Sequence, residues 1–185
     1  MFWRECPCDS STSGAFCRPF AAIAIPNYLR YQLRTRSTET LTHLKGIAVA
    51  EDSYYAERST YVSVATPVPA SLPGTQRVPW PTNTNFHEIG WAPEGGVVFQ
   101  YAVRADNPNG GASLTRFTAE TTSDLDRDGV QAYYALIRPL PGAGSGLAGS
   151  LPGTTCVGTG VWNGGGSGQL GQPGPCDSAS GRSKF

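Results

Sequence analysis

The sequence predicts an α+β domain in which one long N-terminal helix packs on a three- to four-stranded antiparallel sheet, with a glycine-rich loop at the C-terminal end. Three observations predict this class. Apolar residues recur at helical spacing over residues 27–58, apolar and polar residues alternate in three later segments, and two cysteines bound a glycine-rich stretch. A helix with one apolar stripe needs a sheet face to cover it, and that pairing defines the class.

The composition narrows the classes of protein to consider. The 185 residues suffice for one ordinary domain, and 14 Lys and Arg residues against 14 Asp and Glu residues give no net charge. That balance argues against a nucleic-acid module, so we expect no nucleic acid as a partner. The 23 glycines and 15 prolines predict long loops. No run of about 18 apolar residues occurs, so the chain as written contains no predicted transmembrane helix.

The first part of the chain divides into an irregular segment and a helix. Residues 1–19 show no clear period, and we expect this atypical segment to be disordered. Residues 20–58 are predicted as the helix, in which Pro26 suits a first turn or marks a kink. His43 is expected at a surface position on this helix. The predicted apolar stripe consists of Leu33, Leu41, Leu44, Ile47, Ala48 and Tyr55.

The remainder, residues 59–185, is predicted to form the globular part. Residues 59–95 are rich in proline, and we expect extended, irregular coil there. Strands are predicted at residues 97–104, 114–120 and 130–137. Short polar turns at residues 106–111 and 123–129 join them, which indicates an antiparallel meander.

Two cysteines near the C-terminal end, Cys156 and Cys176, enclose a stretch that contains eight glycines. A disulfide between them would stabilise the fold by restricting the unfolded chain, by roughly 3 kcal/mol for a loop of this size. It would also imply an oxidising compartment. The alternative is a pair of free thiols in a cytosolic loop.

Residues 21–61 resemble the helix of bacterial type IV pilins and type II secretion pseudopilins. The stretch Ile-Ala-Ile-Pro-Asn-Tyr at residues 23–28 is similar to the end of that family's hydrophobic segment, and the run from Tyr54 to Tyr61 is similar to its exit from the helix. The resemblance implies a pilin-like fold, the Cys156–Cys176 disulfide, and assembly rather than catalysis. It assigns the assembly helix to Ile23, Ile25, Pro26, Tyr28 and Leu29.

The same resemblance implies partners and a location. The expected partners are other pilin subunits and the pilus assembly machinery, at an extracellular pilus or the periplasm-facing inner membrane. The family begins with a basic leader, a processing site, an early glutamate and a long apolar stretch, whereas residues 1–19 here replace nearly all of that. We therefore expect membrane contact only through an N-terminal segment that is absent here, and an unanchored, soluble chain as the sequence is written.

A second motif, Asp-Leu-Asp-Arg-Asp-Gly at residues 124–129, follows a predicted strand. Carboxylates at alternate positions can converge at a turn, and hard oxygen donors suit Ca²⁺. The motif begins like an EF-hand loop, but Ala135 stands where the bidentate glutamate would be. The prediction is therefore a looser calcium site at a hairpin tip, formed by Asp124, Asp126, Asp128 and the carbonyl oxygen of Val130. The alternative is a solvated turn whose aspartates cap backbone groups.

Sequence signals for catalysis are thin. No Walker A or G-x-S-x-G sequence is present, and His87 beside Glu88 has no nucleophile at a defined spacing, so we expect no enzyme. Three tryptophans, Trp80, Trp91 and Trp162, could line a surface that recognises a sugar or a partner. Alternatively, they could pack against the sheet or anchor loops.

These observations favour one function and leave two alternatives. The favoured function is a structural subunit of a type IV pilus or pilus-like filament, which acts in adhesion or motility through assembly. The first alternative is a pseudopilin of type II secretion with a calcium-stabilised hairpin. The second, from another class, is a secreted adhesion or carbohydrate-binding module that uses the three tryptophans.

Overall fold

The computed structural model describes residues 19–165, 168–180 and 182, with side chains from residue 28 onward. The chain is α+β, with one long helix and an antiparallel sheet, as predicted. The helices are α1, Pro19–Arg58, and a short 3₁₀ helix, Asn85–His87. The strands are β1, Val64–Val68; β2, Gln100–Asp106; β3, Arg116–Ser123; β4, Ala132–Arg138; and β5, Gly174–Pro175.

The chain forms two compact units, residues 1–32 and residues 33–185. In the first unit, the described part is helical from Pro19 and carries Tyr28, Leu29 and Tyr31 with more than half of each residue exposed. The second unit contains the rest of α1 and the whole sheet. The disordered segment predicted for residues 1–19 lies, apart from Pro19, outside the described residues.

Within residues 33–185, α1 buries a stripe that mixes apolar and polar side chains. This stripe consists of Ser37, Thr40, Leu44, Ile47, Ala48 and Glu51. Leu33, Leu41 and Tyr55 of the predicted stripe are only partly buried. The reason is that polar residues also face the sheet, where the Thr40 hydroxyl forms a hydrogen bond of 2.7 Å with the Thr121 hydroxyl. A buried polar group with a partner costs little, so such positions need not be apolar.

The sheet has five strands, in the order β1-β2-β3-β4-β5, rather than the three or four predicted, and every neighbouring pair is antiparallel. The predicted meander is β2, β3 and β4, with boundaries one to three residues further along the chain. The extra strand β1 lies in the proline-rich segment that was expected to be coil. It is an edge strand, where the missing N–H of Pro67 is tolerated because it can point away from the sheet.

Both faces of the sheet are covered. Alternate residues of the three central strands face α1 and form the larger core, which includes Tyr101, Val103, Phe117, Ala119, Tyr134 and Leu136. The residues between them face the C-terminal segment and form a smaller core of Ala102, Tyr133, Ala135, Ile137, Leu151, Cys156, Val161 and Cys176. The unit therefore has three layers: helix, sheet and C-terminal segment.

The C-terminal layer, described at residues 139–165 and 168–180, has little regular structure. The predicted disulfide between Cys156 and Cys176 is present, with a sequence separation of 20 residues. Backbone hydrogen bonds fasten the layer to β4: the Gly171 N–H donates to the Ile137 carbonyl at 2.8 Å, and the Cys176 N–H donates to the Tyr133 carbonyl at 2.9 Å. The disulfide closes a loop within the layer, while backbone hydrogen bonds and the smaller core hold the layer against the sheet.

Candidate functional site

The acidic turn that connects β3 to β4 brings three of the four predicted calcium ligands together, the aspartates. One carboxylate oxygen from each of Asp124, Asp126 and Asp128 lies within 4.8 Å of the other two. Gly129 has a φ of 83° and Arg127 a φ of 59°, so two left-handed residues bend the turn. Leu125 is fully buried and anchors the turn in the core.

The aspartates of this turn also bind its backbone. The Gly129 N–H donates to Asp124 Oδ2 at 3.2 Å, and the Val130 N–H donates to Asp128 Oδ1 at 2.7 Å. Burial, followed by the charge of Asp128, raises the pKa of the Asp126 carboxyl. The arrangement fits a solvated, self-capped turn and also offers convergent oxygen donors, so the calcium site stays a prediction.

The structure brings two of the three candidate tryptophans together. Trp80 and Trp91 form a perpendicular pair with ring centroids 5.5 Å apart. Both also pack against Phe86 and Tyr101, in the packing arrangement that was the alternative to a recognition surface. Trp162 lies elsewhere, in a groove with Leu41 and Tyr134.

His43 belongs to the same aromatic cluster. Its Nδ1 forms a hydrogen bond of 2.6 Å with the buried Tyr101 hydroxyl, and its ring contacts Trp91 edge-on. Burial lowers the pKa of His43, against an opposing effect of the Glu39 carboxylate. The predicted surface position of His43 is therefore wrong, because the imidazole serves as a polar bridge between α1 and β2.

The residues of the predicted assembly helix are only partly described. Ile23, Ile25 and Pro26 belong to α1, but their side chains lie outside the described set. Because α1 begins at Pro19, Pro26 is inside the helix rather than in its first turn. Tyr28 and Leu29 are 62% and 53% exposed. Both can therefore contact another molecule.

A buried carboxylate that sequence reasoning missed is Glu120, at the centre of β3. It is fully buried and accepts hydrogen bonds from the backbone N–H groups of Ser150 and Leu151 and, at 2.9 Å, from the Thr154 hydroxyl. A Cβ at position 149 would overlap this carboxylate, so Gly149 is required where the loop crosses it. The available signal was Glu120 in the middle of a predicted strand, because a carboxylate there needs partners if both faces of the sheet are covered.

A second carboxylate missed by sequence reasoning is Glu51 on α1. It is fully buried, and its Oε2 accepts a hydrogen bond of 3.0 Å from the Val62 N–H, just before β1. Burial raises the pKa of Glu51 to about 7, although the hydrogen bond from Val62 opposes that rise. The available signal was its spacing: Glu51 follows Ala48 by three residues, so both lie on the same face of the helix.

Comparison with known proteins bears on the family. Over 85 residues the chain is 33% identical to the type IV major pilin protein PilA of Myxococcus xanthus strain DK1622. The aligned stretch covers 46% of this chain and only 29% of the length of that protein. No family model matches the chain, and no solved structure matches it significantly.

Within residues 19–165, 168–180 and 182, no helix is long and apolar enough to cross a bilayer. The helix-on-sheet fold and the disulfide have the layout that the resemblance implied. Together with the similarity to PilA, they support a type IV pilin-like family for this chain.

Proposed function

We propose that this chain is a structural subunit of a type IV pilus or pilus-like filament, and that it acts by assembly rather than by catalysis. The similarity to the type IV major pilin PilA carries the proposal. The fold supports it, because a long helix followed by an antiparallel sheet and a disulfide-bounded tail is the layout that the resemblance implied. The partners are other copies of the chain and the pilus assembly machinery.

Exposed apolar residues near the start of α1 support contact between subunits. Tyr28 and Leu29 are neighbours on the helix and are mostly exposed. Exposed apolar side chains that stand together often mark protein–protein contact surfaces. In a filament, these two side chains would be buried against neighbouring copies. A Cys156–Cys176 disulfide suits this proposal, since such bonds persist at cell surfaces and outside the cell.

Immunogold electron microscopy tests the proposal directly. Antibodies raised against residues 33–185 should label surface filaments on cells that produce the chain, and deletion of its gene should remove those filaments. Labelled cells that carry no filament, or filaments that persist unlabelled in the deletion strain, would contradict the proposal.

A matched pair of substitutions tests the role of the assembly helix. Leu29→Ser should prevent incorporation into filaments because it removes an apolar contact between copies. Val49→Ser lies on the same helix at a residue that is 65% exposed, and it should be incorporated normally. Both variants should keep the wild-type melting temperature, so a loss of filaments with Leu29→Ser reports assembly rather than folding. Equal incorporation of the two variants would contradict the role assigned to Leu29.

The acidic turn favours a second candidate function, a type II secretion pseudopilin whose hairpin is stabilised by calcium. The favouring observation is the convergence of Asp124, Asp126 and Asp128. Ca²⁺ at about a hundred times its dissociation constant would add about 2.7 kcal/mol to the unfolding free energy. For a chain of this size, that corresponds to a rise in melting temperature of roughly 5–10 °C.

Thermal melts with Ca²⁺ and with a chelator measure this effect. Asp126→Asn should abolish the rise in melting temperature, because it removes one charged ligand. Glu94→Gln, a change at an exposed carboxylate outside the turn, should leave the rise intact. If the wild-type chain melts at the same temperature with Ca²⁺ and with chelator, the calcium site and the support it gives to the second candidate are both lost.

A further inference from the structure

A groove of about 330 Å³ lies between α1 and the C-terminal layer, within the compact unit of residues 33–185. Its walls are mainly apolar. It shares no lining residue with the acidic turn or with the Trp80–Trp91 cluster. The lining includes Arg34, Thr38, Leu41, Tyr134, Trp162 and Arg182. This volume is within the range of small-molecule sites in proteins.

The lining of the groove is positively charged. It carries two arginines, Arg34 and Arg182, and no carboxylate among the described residues, while Asp177 outside the lining accepts a hydrogen bond of 2.9 Å from the lining residue Ser180. Neither arginine forms a salt bridge with a carboxylate in the part of the chain that the structure describes, whereas Arg77, Arg116 and Arg138 each do. Arginine is the residue best suited to binding carboxylates, because its planar fork donates two parallel hydrogen bonds. The groove therefore complements an anion.

The position of Arg182 is supported by an aromatic ring. Its guanidinium carbon lies 4.4 Å from the centroid of the Trp162 ring, a cation–π contact. This contact restrains an otherwise flexible side chain at the edge of the groove. A restrained donor loses less conformational entropy when it binds an anion, and the binding is stronger for that reason.

The rest of the lining fits a ring that has both apolar and hydroxyl surfaces. Leu41 and Trp162 supply an apolar wall. The exposed Thr38 hydroxyl donates to the Thr35 carbonyl at 2.7 Å, so its oxygen remains as an acceptor at the edge. At the floor, the buried Tyr134 hydroxyl lies beside Ser37 without a well-formed hydrogen bond in the described chain. Sugars present C–H faces to aromatic and aliphatic side chains and hydroxyls to polar ones.

We propose that this groove binds a uronic acid unit of an acidic polysaccharide. The sugar carboxylate binds Arg34 and Arg182, one C–H face packs against Leu41 and Trp162, and a ring hydroxyl bonds to Thr38. A neutral sugar would leave both arginines without a counter-charge. An acidic peptide would place backbone N–H and C=O groups against the apolar wall, where they find few partners. The site goes beyond the proposed filament role and does not depend on assembly.

Calorimetric titration of the full chain with trigalacturonate tests the proposal, with the uncharged galactose trimer of the same linkage as the matched ligand. The acidic trimer should bind, and the neutral trimer should bind at least tenfold more weakly. Each hydrogen bond to a charged group is worth about 1.5–3 kcal/mol, and 1.4 kcal/mol corresponds to a factor of ten in affinity. Raising the salt concentration should weaken binding, because the arginines are exposed to solvent.

Four variants connect the binding to the groove. Arg34→Gln and Arg182→Gln should each weaken binding of trigalacturonate about tenfold or more. Trp162→Leu should weaken it, whereas Trp162→Phe should retain part of it. Arg104→Gln, at an exposed position on β2 outside the groove, is the control and should bind like the wild type. Melting temperatures show whether each variant is folded.

Several outcomes would overturn the proposal. Equal binding of the acidic and neutral trimers would remove the role of the arginines. Binding that survives Arg34→Gln, Arg182→Gln and Trp162→Leu would place the ligand elsewhere. Tighter binding of a hexaglutamate peptide than of trigalacturonate would make the groove a peptide site. Absence of binding by the folded wild-type chain at millimolar trigalacturonate would contradict the proposal. It would not affect the filament proposal, because the immunogold experiment tests that one independently.

Discussion

Two buried carboxylates, Glu51 and Glu120, accept hydrogen bonds mainly from backbone N–H groups. Neither forms a salt bridge with a basic side chain in the described part of the chain. Glu51 receives one hydrogen bond, and its Oε1 is buried without a partner, whereas Glu120 receives three. Burial of a carboxylate favours its neutral form, and hydrogen bonds to it favour the ionised form. The two residues should therefore respond differently to substitution.

Glu51 should make the fold less stable as the pH rises from about 4.5 to about 7. Its pKa is about 7 in the folded chain, against an ordinary value of 4.5, so the folded state binds more protons than the unfolded state in that window. Stability therefore falls with rising pH, by about 3 kcal/mol over the window at 1.36 kcal/mol per pKa unit. Above the window the loss is complete and no longer changes.

The Glu51→Gln variant measures this effect by urea denaturation. The unfolding free energy of the variant relative to wild type should rise by about 3 kcal/mol from pH 4.5 to pH 8, because glutamine keeps a hydrogen-bond acceptor for Val62 but does not ionise. Glu57→Gln, at an exposed position on the same helix, should show no such pH-dependent difference. Parallel pH profiles for Glu51→Gln and wild type would show that Glu51 is not a buried acid.

Glu120→Ala should destabilise the chain by about 2–5 kcal/mol, because it leaves the buried N–H of Leu151 and the partly buried N–H of Ser150 without acceptors. Glu120→Gln retains one side-chain acceptor oxygen and should cost less. Glu94→Ala, at an exposed carboxylate, should change stability by no more than about 0.5 kcal/mol. Urea denaturation gives all three values, and a Glu120→Ala chain as stable as Glu94→Ala would remove the anchoring role of Glu120.

At the scale of single residues, sequence spacing identified the apolar part of the buried stripe and missed its polar part. Leu44 and Ile47 were predicted correctly because their apolar side chains recur at helical spacing. Thr40 and Glu51 were not predicted, since their burial depends on hydrogen-bond partners outside the helix, at residues 121 and 62. Prediction from helical spacing uses only the polarity of each side chain, and it has no information about hydrogen-bond partners that tertiary structure supplies.

At the scale of elements, the helix and the three central strands were predictable, and the two outer strands were not. α1 and β2 to β4 carry their own periodic patterns. By contrast, β1 has Pro67 next to its last residue, and β5 is only the two residues Gly174–Pro175. Such short strands form because a neighbouring strand offers a free edge, which is a property of the assembled sheet rather than of the segment.

The C-terminal layer should depend on its disulfide. The double variant Cys156→Ser, Cys176→Ser should lose about 3 kcal/mol of unfolding free energy, since the open chain is no longer restricted. Hydrogen exchange should accelerate first at the amides of Gly171 and Cys176, which bind β4, and much less at those within β3. A uniform acceleration over all strands would show instead that the layer and the sheet unfold together.

For the chain as a whole, the sequence predicted the α+β fold class but not the C-terminal layer on the second face of the sheet. The helix and the meander define two layers, and the resemblance of residues 21–61 to pilins implied the disulfide. Nothing in residues 139–180 has a period, so their packing on the second sheet face was not predictable. That packing explains why β3 is buried from Phe117 to Ser123 although five of these seven residues are polar.

The compact unit of residues 33–185 should fold without the residues before it. It contains the core residues of α1, all five strands and the disulfide. A chain that begins at Leu33 should therefore melt cooperatively, within a few degrees of the full chain, when followed by circular dichroism. A fragment that lacks a cooperative transition would show that residues 1–32 are needed for folding.

The way the C-terminal layer is held has an evolutionary consequence. Its internal conformation is set by main-chain hydrogen bonds, such as Gly146 to Gly158 and Gly149 to Cys156, and by glycines that approach their neighbours too closely for any side chain. Substitutions at its outward-facing positions, such as Val157, therefore disturb few of these restraints. This surface could therefore change repeatedly over evolution, provided that the glycines and the two cysteines were kept.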